Sequence, residues 1–176
     1  MSLAQDLLEQ AVHLVNREGV EPKQASLRRA VSTAYYALFH LLIDEAVNHW
    51  GIARHRGRLA RTFDHGSIKR VCDDYVRSFY SAGKPASERL LKDVAETFSE
   101  LQLNRHTADY DNSFIWTKAD AEEWIARTGV AFTCWDTIRT QDAAQDFLLS
   151  LFLPKLTRPQ KNPPALKQDP AGRSSA

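Results

Sequence analysis

Arginine, histidine, aspartate and tyrosine crowd into one short stretch, Asn104-Arg105-His106-Thr107-Ala108-Asp109-Tyr110-Asp111. On a helix, residues four apart share a face, so Arg105 pairs with Asp109 and His106 with Tyr110, side by side. Such a cluster can hold a phosphate and move a proton beside it. Arg105 offers a planar fork that grips phosphate oxygens in pairs. Equally, it can form an ordinary intrahelical pair with Asp109, worth only ~0.2–0.5 kcal/mol. The imidazole of His106 can act as acid or base, or simply face solvent. Tyr110 brings a phenol, a residue type that is a poor base at neutral pH. Its phenol can donate to a phosphate, stack on a base, or lie half-buried with its hydroxyl in water. Asp109 reads as the residue that orients Arg105.

A second group of charges lies upstream. Arg54, Arg56, Arg58 and Arg61, followed by Lys69 and Arg70, form the dense basic region of the body, with His55 and His65 among them. A run of arginines in a loop can track a nucleic-acid backbone, or be no more than a solvated surface. Tyr35, Tyr36 and Phe39 can stack on bases but have the spacing of core residues. Arg28 and Arg29 read as surface or ion-paired, one of them within reach of Arg105. No Glu-x-x-His pair suited to a di-iron bundle occurs, and the cysteines and histidines lack zinc-site spacing. No glycine-rich phosphate loop is present. The expectation is a site with no metal and no cofactor.

The elements that must position these residues are helical throughout. Helix one is predicted from Ser2, its N-cap, to Arg17, ended by Glu18-Gly19-Val20-Glu21-Pro22. Helix two is predicted from Gln24 or Ser26 to Trp50, with Leu27, Val31, Ala34, Leu38, Leu41 and Leu42 as a core stripe. Tyr35, Phe39 and Ala46 widen the stripe, which makes this helix central. Residues 51–64 read as a polar, basic connection. Helix three is predicted over 66–80. Helix four opens at Ser87, runs on Leu90, Leu91, Val94, Ala95, Phe98 and Leu101, and carries Arg105 near its end. Asp111-Asn112-Ser113 reads as a turn or helix terminus. Helix five starts behind Thr117, with Asp120 three residues on, and continues towards Phe152 with room for a break. The fold class is therefore all-α, an antiparallel bundle of about five helices over residues 1–153.

Composition agrees. The 176 residues suffice for one core and are few for two. The 43% hydrophobic and 26% charged content is that of a soluble globular chain. The net charge of +1 hides a split: five basic residues against one acidic from Pro154 onward leave −3 for the rest. Residues 154–176 hold five of the seven prolines and read as a disordered Pro/Lys-rich tail. The folded part is not a generally basic nucleic-acid binder, so any such contact needs a local patch. Cys72 continues the helical face Ile68, Cys72, Tyr75, Val76, Phe79, and Cys134 also lies in an apolar pattern. Both read as buried hydrophobes, and with no secretory pattern a reducing cytoplasm is expected. No apolar run nears the ~20 residues that span a bilayer.

Two segments carry a resemblance. Ser26-Leu27-Arg28-Arg29-Ala30-Val31-Ser32-Thr33-Ala34-Tyr35-Tyr36-Ala37-Leu38-Phe39-His40 resembles the second helix of HEPN domains (higher-eukaryote and prokaryote nucleotide-binding). Arg105-His106-Thr107-Ala108-Asp109-Tyr110 resembles the family's polar motif on a later helix. The resemblance spans roughly residues 1 to 140. It implies an all-α bundle that dimerises, near 40 kDa or about twice the 20.0 kDa chain. It also implies RNA or a nucleotide as ligand, and a metal-independent, toxin-like ribonuclease activity. That motif is an arginine, a polar residue, three more residues and a histidine. Arg105 and His106 fit its first two positions, and Tyr110 stands at its histidine. The implied catalytic set is Arg105, His106 and Tyr110; from their own chemistry, Asp109 reads as orienting and Arg54, Arg56, Arg58 and Arg61 as candidates for nucleic-acid contact. With tyrosine at that position, weak cutting is the expectation. The other expectation is a non-catalytic interaction module, partner of a nucleotidyltransferase-type antitoxin or another protein.

Overall fold

The structure is a computed structural model that describes residues 2–19, 21–49, 51–80 and 82–153. The expectation of a disordered tail over 154–176, and that of a helix end at Trp50, lie outside the described residues.

Among the described residues the chain is all-α and forms a packed bundle. There are seven helices rather than about five: α1 (Leu3–Val15), α2 (Gln24–Asn48), α3 (Ala53–Ala60), α4 (His65–Ser78), α5 (Ala86–Tyr110), α6 (Lys118–Ile138) and α7 (Asp142–Ser150). The two additions have separate causes. The stretch 51–64, expected as a connection, folds into α3, whose eight residues include three arginines and no buried side chain. The predicted fifth helix breaks after Ile138, where Gln141 donates its backbone N–H to the Ile138 carbonyl and opens α7. Neither glycine nor proline marks that break.

Local chemistry accounts for several boundaries. Ser2 caps α1 with a reciprocal bond to Gln5, and Thr117 caps α6 with one to Asp120. Asp64 accepts from the Ser67 backbone and opens α4 one residue before the predicted start. α4 ends at Ser78, short of the expected residue 80. Gly19 (φ 68°) and Gly83 (φ 74°) take the left-handed backbone that turns the chain after α1 and before α5. The expected opening at Ser87 is corrected to Ala86, with Pro85 ahead of it and no side-chain cap. Likewise α2 starts at Gln24 without a side-chain cap, so Ser26 lies inside the helix.

α2 is the central helix, packed against α1, α5 and α6. Leu27, Ala30, Val31, Ala34, Tyr35, Leu38 and Leu42 on it are almost wholly buried, against Phe98 and Leu101 of α5 and Trp135 of α6. α2 and α5 run antiparallel, for Arg28 reaches Ala108, Ser32 reaches Asp109 and Tyr36 reaches Arg105. Cys72 and Cys134 are buried free thiols, and burial pushes both thiol pKa values up. Phe147, Leu148 and Leu151 pack into the core, so α7 spends most of its apolar side chains on its own bundle.

Candidate phosphate cleft

Arg105 sits in the last turns of α5, on the side facing α2. Its Nε lies 2.8 Å from Asp109 Oδ2, as the four-residue spacing predicts. The N–H does not point along that line, so the contact is one of charge rather than an aligned hydrogen bond. Nη2 donates to the Tyr36 hydroxyl at 2.9 Å. Two rings flank the guanidinium, Tyr36 and Tyr110, each with its centroid 5.6 Å from Cζ. The side chain is 20% exposed, and Nη1 makes no hydrogen bond among the described residues. Burial alone would lower the pKa of Arg105. The Tyr36 hydroxyl and the Asp109 carboxylate outweigh it, and the guanidinium stays firmly charged.

Asp109 makes a second contact. Its Oδ1 accepts from Ser32 Oγ at 2.5 Å, which ties the Arg105 pair to α2. His106 and Tyr110 stand beside it with ring centroids 4.9 Å apart, both exposed, Tyr110 to 64%. Their imidazole, phenol and the guanidinium form one continuous edge. Lys69, Gln102, Leu103, Arg105 and His106 line an open hollow of about 190 Å³ next to that edge.

Tyr36, which contacts Arg105, also belongs to a ring cluster around His65 that the sequence does not reveal. His65, the first residue of α4, meets three α2 aromatics. Its ring lies 4.3 Å from Phe39 and 5.8 Å from Tyr36, centroid to centroid, and Nδ1 is 2.7 Å from the Tyr35 hydroxyl. Burial lowers the pKa of His65, the Arg105 charge lowers it further, and Asp64 opposes them. Tyr35 is fully buried and its phenol pKa is raised for that reason. Ser32, Tyr36 and His40 recur every four residues on α2, and that spacing was the available signal for a polar edge within the helix.

A clamp holds the end of α5 in place. Arg28 Nη1 donates to the carbonyls of Ala108 (3.0 Å) and Asp111 (2.9 Å), and Nη2 to that of Phe114 (2.7 Å). Four residues earlier, Gln24 pairs with the Trp116 backbone in both directions, accepting at 3.0 Å and donating at 2.7 Å. Asp111 accepts from the backbone and hydroxyl of Ser113, which makes the expected turn after α5. Arg28 therefore serves as a scaffold and not as a phosphate ligand.

The arginines of the basic stretch lie on α3 and just past it. Arg54, Arg58 and Arg61 are exposed and Arg56 is half-covered. His55, Arg58, Leu59 and Thr62 line a separate shallow hollow of about 300 Å³. Among the described residues no group of three or more His, Cys, Asp and Glu is placed to hold a metal ion. No helix there is long and apolar enough to cross a membrane.

What these features define is an all-α bundle in which the Arg105–Asp109 pair at the end of α5 lies beside an open hollow lined by Lys69 of α4 and by Gln102, Leu103 and His106 of α5. Comparison of the chain with family models, curated proteins and solved structures finds no match.

Proposed function

We propose that the chain is a HEPN-like protein that binds RNA or a nucleotide through its phosphate at the Arg105 cleft, and cuts RNA at most weakly. The observation that carries this is the state of Arg105. Its charge is held between two tyrosine rings, oriented by Asp109 and Tyr36, with Nη1 left without a protein partner. A purely structural arginine would spend both ends of its fork on the protein, as Arg28 does. The exposed rings of Tyr110 and His106 add a surface on which a base can stack. Weak cutting follows from Tyr110, which brings a phenol where the resembled ribonucleases bring an imidazole. The α3 arginines offer a second contact for the backbone of a longer RNA.

The test is a binding titration of labelled RNA with wild type and Arg105→Ala. Loss of a charged hydrogen bond of this kind costs ~1.5–3 kcal/mol, so affinity should fall roughly ten- to a hundredfold. The fold should persist, because Asp109 keeps its bond from Ser32. Equal binding by the two proteins would put the ligand elsewhere.

One feature favours a second reading, an interaction module. Leu103 (65%), Tyr110 (64%) and Ile115 (67%) leave apolar surface exposed around the end of α5. A second copy of the chain, or a nucleotidyltransferase-type partner, would cover it. Light scattering is expected to give about 40 kDa, twice the 20.0 kDa chain. A concentration-independent monomer would remove the second copy from that surface.

A further inference from the structure

We propose that the hollow beside Arg105 is a seat for a terminal phosphate, a phosphomonoester carried by a nucleotide or by an RNA end, and that Lys69 is its second cation. The inference rests on the phosphate-binding reading above. It adds a residue from another helix and a class of ligand.

α4 packs against α5, and both helices line the hollow. Lys69 comes from α4, and Gln102, Leu103, Arg105 and His106 come from α5. The two cations are held alike. Lys69 Nζ donates to Asp73 Oδ2 at 2.6 Å, and Arg105 Nε lies 2.8 Å from Asp109 Oδ2, each carboxylate four residues further along the same helix. Neither carboxylate lines the hollow, and its five lining residues include no acid. The pairing therefore fixes each cation while the hollow itself holds no competing negative charge. Both cations keep unspent donors. Of its three N–H groups the Lys69 ammonium gives one, to Asp73, among the described residues, and Arg105 Nη1 gives none. The side chains are only 30% and 20% exposed, so solvent screens them less than it screens a surface charge.

Size and charge select the ligand. The hollow, at about 190 Å³, is smaller than the ~300 Å³ at which pockets for whole small molecules begin. It takes a headgroup and leaves the sugar and base outside. His106 lines the hollow, and its ring centroid is 4.9 Å from that of Tyr110, so a base can lie along that edge while its phosphate is seated. An internal phosphodiester carries one negative charge and has a chain on both sides. A terminal phosphate carries close to two charges at neutral pH and presents three acceptor oxygens. Two cations on different helices match the second form. Arg105 offers a planar fork and Lys69 a point charge.

The probes are two pairs. One is adenosine 5′-monophosphate and its methyl phosphodiester, and the other is a short RNA with a 5′-phosphate and its 5′-hydroxyl twin. Wild type should bind the monophosphate roughly tenfold more tightly than the methyl ester, the gain of one charged hydrogen bond. Lys69→Met should remove that preference by weakening the monophosphate alone, and Lys69→Arg should keep it. The RNA pair identifies the source. A preference for the phosphorylated RNA upholds the seat with an RNA end in it, and a preference confined to the monophosphate upholds it with a free nucleotide. Equal binding within both pairs by wild type, or a preference that Lys69→Met leaves intact, would overturn the proposal. If Arg105→Ala weakens all the probes while Lys69→Met changes none, only this inference falls. If wild type binds none of them, the phosphate cleft falls with it.

Discussion

Tyr110→His is expected to raise metal-independent RNA cleavage by about 10²–10⁴-fold, the usual contribution of a placed general acid or base. The position suits the exchange. Tyr110 is the last residue of α5 and is 64% exposed, so its ring supports little of the fold. The ring lies 5.6 Å from the Arg105 guanidinium and 4.9 Å from the His106 ring, within reach of a phosphate held by either. An imidazole there titrates near neutrality, where the phenol does not. At a helix C-terminus its protonated form gains a further ~0.3–1 kcal/mol from the helix dipole. The measurement is the rate of labelled-RNA cleavage with EDTA present. A variant no faster than wild type, or a wild type that already cuts briskly, would show that Tyr110 is not what limits the chemistry.

Arg28→Ala should cost about 2 kcal/mol of folding stability, from the loss of charged hydrogen bonds to carbonyls at the end of α5. The side chain gathers three carbonyls, at Ala108, Asp111 and Phe114, and two of these bonds face solvent, which sets the value near the lower end of the range. For a chain of this size the midpoint of thermal unfolding should fall by roughly 4–8 °C. Arg28→Lys should recover little, because an ammonium cannot replace a planar fork spread over several acceptors. RNA affinity should fall as well, since the clamp fixes the backbone from which Asp109 and Tyr110 project. A melting curve that matches wild type would mean that Gln24 alone holds the segment.

Much of this architecture is legible in the chain. The apolar stripe of α2, the capping boxes at Ser2 and Thr117 and the burial of Cys72 all follow from short-range patterns. So does the Arg105–Asp109 contact, which a helical repeat imposes. α3 is not legible in the sequence because Arg54, Arg56, Arg58 and Gly57 offer no apolar face, and the helix buries no side chain. The gap between α6 and α7 is hard to read because Arg139 to Gln141 carry neither glycine nor proline. The sequence puts Arg28 or Arg29 within reach of Arg105, but it does not reveal that Arg28 clamps the end of α5 or that Ser32 and Tyr36 meet the Arg105–Asp109 pair. Their roles depend on which face of α5 meets α2, and tertiary packing alone decides that.

The distances along the chain between the cleft's partners have a consequence for how it comes into being. Arg105 is 69 residues from Tyr36, Asp109 is 77 from Ser32, and the Arg28 clamp spans 80 to 86. No short contiguous piece of the protein contains both sets of partners. The cleft is a product of long-range loop closure, whose entropy must be offset by the α2–α5 core before any polar contact forms. During synthesis α2 emerges early and waits, with Tyr36 and Ser32 unmatched, until α5 follows. Whatever the cleft binds, a nascent chain is inert towards it until α5 has emerged and docked on α2.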